Sequence, residues 1–143
     1  MSFSMQVKNE LVKTEYEASC CKKSMLYGMC IFGKIFSKKS ASLQTENENI
    51  ALLYSELLKE LFNIKSTVKK SPHGRSITVS VAEGNDAAKL FKSFGHSGFA
   101  SLKINHSNFD CENCAHAFMA GAFLSCGTVS APEKDYHLEF TVP

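Results

Sequence analysis

The stretch Cys114–Val129, CAHAFMAGAFLSCGTV, decides the fold. It is apolar and unusually rich in small residues. A glycine inside a helix costs roughly 1 kcal/mol relative to alanine, so Gly121, set among Ala117, Ala120 and Ala122, needs a reason. Ala117 and Gly121 are four apart and stack on one helical face, with Cys114 one turn earlier. A face that small lets another backbone come very close. The same spacing occurs in CKKSMLYGMCIFGKIF, residues 21–36, as Cys21, Ser24 and Gly28. A constant offset of 93 puts Cys21 on Cys114, Ser24 on Ala117, Gly28 on Gly121 and Ile31 on Leu124. This predicts a duplication, with two small-faced helices at about 20–32 and 112–125. They pack about a pseudo-twofold through Ser24, Gly28, Ala117 and Gly121.

Around these helices the chain reads as α+β. Residues 3–15 form a short amphipathic helix with Phe3, Val7 and Leu11 on one stripe. Residues 34–46 read as two short strands joined near Lys39-Ser40. Asn49 is placed to cap a helix whose stripe is Ile50, Leu53, Tyr54, Leu57 and Leu61. Residues 64–70 and 75–82 form a hairpin around Ser71-Pro72-His73-Gly74. Alternation puts Ile77, Val79 and Val81 on one face, with Ile64 and Val68 from the partner strand. The other face is lysine and hydroxyl. A helix at 86–94 ends at Gly95. Residues 96–109 carry no clear pattern. Asp110 and Glu112 sit where the next helix begins, favourable against its dipole. Residues 127–142 read as a hairpin turning at Ala131–Asp135. The order is therefore a helix, then αββαββα, then a second unit that stops after one helix and one hairpin. Residues 1–110 hold the N-terminal helix and first repeat, and 111–143 the start of an incomplete second one. A duplicated unit that stops there reads as the N-terminal part of a longer protein, whose open strands are expected to favour self-association.

The 143 residues suffice for one core of ordinary size. A net charge of +2 is too small to imply nucleic acid by itself, but the charges are uneven. Between Glu17 and Glu46 lie five lysines and no acid; between Glu60 and Glu83 lie Lys65, Lys69, Lys70 and Arg75, again with none. The N-terminus has no apolar signal core, and no segment reaches the ~18 apolar residues of a membrane helix. A cytoplasmic protein with reduced thiols and no membrane partner is expected.

AFMAGAFLSCGTV, residues 117–129, is similar to the signature helix of LAGLIDADG homing endonucleases, and YGMCIFGKIF, residues 27–36, to a weaker copy of it. MSFSMQVKNEL, CCKKSMLYG, QTENENIALLYSELLKELFNI and GAFLSCGTVSAPEKDYHLEF resemble the N-terminal part of the WhiA family of sporulation regulators. The resemblance runs along nearly the whole chain and is most specific at residues 117–140. It implies a LAGLIDADG-like domain that normally precedes a C-terminal helix-turn-helix domain, absent from these residues. It also implies a transcription-factor role in cell division and, where it occurs, sporulation, with DNA bound mainly through that C-terminal domain.

In the nuclease family each signature helix ends in an acid, at positions matched here by Gly33 and Cys126. Metal-assisted phosphodiester cleavage needs carboxylates to hold hard cations, and neither residue offers one. No enzyme activity and no cofactor are expected. Cys111 and Cys114 form a CxxC, and Cys20-Cys21 is its counterpart. If the helices pair about a twofold axis, the four thiols meet at one end, a zinc candidate beside the plainer reading of buried thiols. His73, His96, His106, His116 and His137 form no nucleophile–base pair by local spacing. Finally, Lys34, Lys38, Lys39, Lys65, Lys69, Lys70 and Arg75, with Thr67, Thr78 and Ser80, are candidates for phosphate contact. In the nuclease relatives this sheet face is the DNA saddle; otherwise it is a solvated strand surface. Two functions follow: a non-catalytic nucleic-acid-binding domain of a transcription regulator, or a protein-interaction module that positions a separate DNA-binding domain.

Overall fold

In the computed structural model the described residues are 3–81, 85–96, 103–129 and 137–141. Five helices are α1 (Phe3–Val12), α2 (Ser19–Ile31), α3 (Glu48–Phe62), α4 (Asp86–Ser93) and α5 (Cys114–Cys126), with a 3-10 turn at His106–Asn108. The strands are β1 (Ile35–Phe36), β2 (Ala41–Thr45), β3 (Thr67–Lys70), β4 (Ile77–Val81), β5 (Gly127–Val129) and β6 (Leu138–Phe140). The fold is α+β. Strands β1 to β4 form one antiparallel sheet in the order β1-β2-β4-β3, and β5 pairs with β6.

Helix α3 begins earlier than expected. Asn47, not Asn49, is its cap: Asn47 Oδ1 accepts from the N–H groups of Asn49 (2.9 Å) and Ile50 (3.4 Å). Both asparagines suit a cap, but only Asn47 lies two and three residues before free helical N–H groups. The helix stops at Asn63, whose φ of 54° lets its N–H turn back to Lys59 O. Its apolar stripe of Ile50, Tyr54, Leu57 and Leu58 is buried against the sheet. Gly95, at φ 79°, ends α4, because a left-handed turn suits a residue without Cβ.

Alternation on β4 is clean: Ile77, Val79 and Val81 are buried and join Ala41 and Leu43 of β2 in the core. Val68 departs from expectation. Its register partner is Val79, so it shares the core-side face, yet it is 51% exposed. Strand β3 is the sheet edge, and all four of its residues are exposed; Ile64, just before it, is buried. Helix α1 ends at Val12, short of residue 15. Asp110 and Glu112 precede α5, whose first turn holds no acid. The 131–135 turn lies outside the described residues; Leu138 of the hairpin is 62% exposed.

Candidate functional site

Helices α2 and α5 run in the same direction and touch backbone to backbone. A Cβ on Gly28 would strike Phe118 O and stand 2.9 Å from Ala122 N. One on Gly121 would strike Met25 O and stand 2.9 Å from Met25 C. Ser24 and Ala117 are fully buried in the same contact. Further along, Ser125 Oγ donates to Met29 O at 3.1 Å. The small faces therefore set the distance between the two helices, and with it the spacing of their ends.

At the C-terminal end of the pair, Gly33 and Cys126 line one cavity of about 250 Å³, with Phe32, Lys34, Leu43, Gln44, Ser125 and Thr141. Among the described residues no carboxylate lines it. Gly33 is also sterically closed: a Cβ there would lie 2.8 Å from both Met29 O and Ser42 O. Burial raises the pKa of Cys126, and Lys8 of α1 acts against that rise. Lys8 itself lies over the Phe123 ring, 5.7 Å from its centroid. An ammonium thus stands beside the position where the nuclease resemblance implies a metal-binding acid. Sequence reasoning missed Lys8, which sits on a helix remote from the signature stretches.

The sheet face opposite Leu43 and Val79 carries Ser42 and Gln44 of β2, Thr78 and Ser80 of β4, and Thr67 and Lys69 of β3; Ser42 is buried and Gln44 borders the cavity at Cys126. The register aligns them as Gln44, Thr78 and Lys69 in one row and Ser42, Ser80 and Thr67 in the next. Gln44 Nε2 donates to Ser76 Oγ at 2.6 Å. The seven basic candidates do not form one patch. Lys70 pairs in register with Ile77, so it lies on the helix side of the sheet, 3.5 Å from Glu48. Arg75 and Lys70 line a depression that also holds Glu46 and Glu48, so that end of the hairpin is mixed in charge. Lys38 and Lys39 lie in the β1–β2 turn, at the opposite end of the sheet from the β3–β4 turn. Lys69 is on the open face, exposed Lys65 approaches β3 with the same parity, and Lys34 sits at the cavity.

At the N-terminal end of the helix pair the four thiols of Cys20, Cys21, Cys111 and Cys114 come within 4.8 Å of one another. Cys111 Sγ is 3.4 Å from Cys21 Sγ and 3.6 Å from Cys114 Sγ. Cys114 Sγ also accepts from the Cys111 N–H at 3.4 Å. Burial works against ionising Cys114, but hydrogen bonds from Ser24, Cys111 and Cys20 outweigh it and draw the thiol down to about 6. Cys20 moves the other way, to about 11, chiefly because it donates to Cys114.

Residues 115–143 match the model of the WhiA LAGLIDADG-like domain. The probable cell division protein WhiA of Ruminiclostridium cellulolyticum is 30% identical, covering 99% of this chain and 49% of the relative. That of Clostridium botulinum (strain Hall) is 34% identical, covering 98% and 49%. The chain matches the N-terminal LAGLIDADG-like half of WhiA. Full-length DUF199/WhiA from Thermatoga maritima superimposes with a TM-score of 0.68 at 19% identity, over 99% of this chain and 45% of that one. The N-terminal LAGLIDADG domain of DUF199/WhiA gives 0.66 at 20% identity, over 99% and 66%. This chain spans about half the length of the curated WhiA relatives it matches. Among the described residues no helix is long and apolar enough to cross a membrane.

Proposed function

We propose that this chain is a non-catalytic LAGLIDADG-like domain of a DNA-binding regulator of the WhiA kind, acting in cell division and, where it occurs, sporulation. In this reading residues 1–110 hold the first repeat and 111–143 begin a second. The offset of 93 supports the duplication, because it maps Met25 onto Phe118, and these two carbonyls are the ones that Gly121 and Gly28 press upon. The observation that carries the loss of catalysis is the cavity shared by Gly33 and Cys126, lined without a carboxylate among the described residues. Mg²⁺ is held by oxygen ligands, and here an ammonium and a thiol stand instead.

Neither the protein nor its Cys126→Asp, Gly33→Asp variant should nick supercoiled plasmid with Mg²⁺ or Mn²⁺. A carboxylate introduced at position 126 would meet Lys8, and any side chain at Gly33 meets two carbonyl oxygens. Nicking by the wild type above a mock purification would refute this reading.

The accessible part of that face, Gln44, Thr67, Lys69, Thr78 and Ser80, lies along the phosphate backbone in this proposal. Phosphate contacts position without reading sequence. With Lys34, Lys65 and Lys69 as the main cations, log K against log[salt] should have a slope of about −2 to −4. Lys69→Ala should flatten it by about 1, whereas Lys70→Ala should leave it nearly unchanged. Absence of duplex binding at low salt would instead favour a module that positions a separate DNA-binding domain.

A further inference from the structure

We propose that Cys20, Cys21, Cys111 and Cys114 form a tetrahedral Zn²⁺ site that ties the start of α2 to the segment entering α5. Zinc bound to thiolate at about 2.3 Å sets tetrahedral sulfurs about 3.8 Å apart. The observed separations of 3.4 and 3.6 Å, with all four sulfurs inside 4.8 Å, bracket that edge. The four come from two stretches of sequence and converge only because α2 and α5 are held parallel at Gly28 and Gly121. Four sulfurs select a soft or borderline cation over Mg²⁺ or Ca²⁺. With four protein ligands no coordination position remains open, so the site is structural.

A second, independent observation concerns the helix ends. Parallel helices of thirteen residues each bring two positive dipole ends together at the cysteines. Such ends are ordinarily relieved by a capping side chain or an acid in the first turn. Here both helices lack both: Ala18 and Asn113 make no side-chain cap bond, and neither first turn holds an acid. A tetrathiolate zinc site is anionic and would supply the missing negative charge. The N–H of Cys111 directed at Cys114 Sγ is the kind of surrounding hydrogen bond that steadies a metal-bound sulfur.

The test begins with the whole chain, expressed with zinc and purified under reducing conditions without chelator. Metal analysis and native mass spectrometry should give one zinc per chain. Chelation should lower the melting temperature, and zinc should restore it. Titrating the metal-free protein with Co²⁺ should produce thiolate charge-transfer bands and the intense visible bands of tetrahedral, sulfur-rich cobalt. Cys111 is exposed, so Cys111→Ser disturbs packing little. It should weaken zinc binding by more than the roughly 100-fold seen when a supporting partner around a metal is lost. Cys20→Ser serves as a second such variant, and Cys126→Ser should bind as the wild type does. Absence of both retained zinc and a sulfur-rich cobalt spectrum would overturn the proposal. So would equal metal uptake by both ligand variants, or a Cys21–Cys111 disulfide in the reduced preparation.

Discussion

Gly121→Ala is expected to destabilise the protein, although alanine is the better helix former by roughly 1 kcal/mol. The added methyl would strike the Met25 carbonyl oxygen and lie 2.9 Å from its carbon and 3.2 Å from its Cα. A side chain in the way can rotate; a backbone in the middle of α2 cannot. The helices must separate, and everything packed on both moves with them. Gly121→Leu should therefore reach or exceed the upper end of overpacking penalties, about 3 kcal/mol, a large share of the roughly 5–15 kcal/mol that holds typical domains together. Ala115→Leu is the control, because Ala115 is exposed on the same helix. Denaturant unfolding followed by circular dichroism reads the difference. A Gly121→Ala variant as stable as the wild type would mean that the two backbones are not in contact.

Tyr27→Ala should cost roughly 3–5 kcal/mol. The ring is fully buried, stacks on Phe94 with centroids 4.7 Å apart, and meets Phe118 of α5 at 5.4 Å. Tyr27→Phe keeps these contacts and removes only the hydroxyl, for about 1–3 kcal/mol. That oxygen accepts from the Asn105 N–H at 2.6 Å and shares a hydrogen bond of 2.8 Å with His96 Nε2. Asn105 and Asn108 in turn donate to Phe94 O. One hydroxyl thereby anchors the segment before α5 to the end of α4. Burial lowers the His96 pKa in the folded state, so the native state excludes a proton that the unfolded chain accepts near pH 6.5. Its contribution to stability is complete above that pH and declines as pH falls through the folded value. Burial and not the hydroxyl sets this shift, so Tyr27→Phe should keep the same acid dependence over this range. Equal melting of the two Tyr27 variants would show that the ring contributes nothing.

The sequence made some of this legible and concealed the rest for physical reasons. Spacings of three and four residues are a helix's own geometry, so Ser24, Gly28, Ala117 and Gly121 could be placed on facing surfaces without coordinates. The same holds for alternation in Ile77–Val81, where one side is packed. Alternation says nothing about how far a core extends beneath an edge strand, and Val68 lies beyond its reach. Nor does it report neighbours from other elements: Lys70 and Arg75 looked free of acid because Glu46 and Glu48 come from the far side of β2. The meeting of the four cysteines was legible only through the expected pairing of the two helices; spacing alone would not have shown it. A CC and a CxxC match no common zinc spacing, and only the parallel packing of two distant helices brings the four sulfurs within one coordination sphere. The closure of Gly33 by two carbonyl oxygens was also invisible, since sequence shows a missing side chain but not what fills its place.

Ser4, at the start of α1, touches the far end of the chain. Its hydroxyl donates to Val129 O at 2.9 Å and accepts from Val129 N–H at 2.7 Å. A hydroxyl that gives and takes at the same residue does for one rung what a neighbouring strand does for a whole rail. It occupies the outward-facing amide and carbonyl of β5 and offers nothing to the next position, so the ladder ends there. The contact joins residues 125 apart in sequence. Most of the chain must therefore be in place before this rung is blocked. Until then, β5 stays open to any passing strand, including the same segment of another molecule during synthesis or refolding.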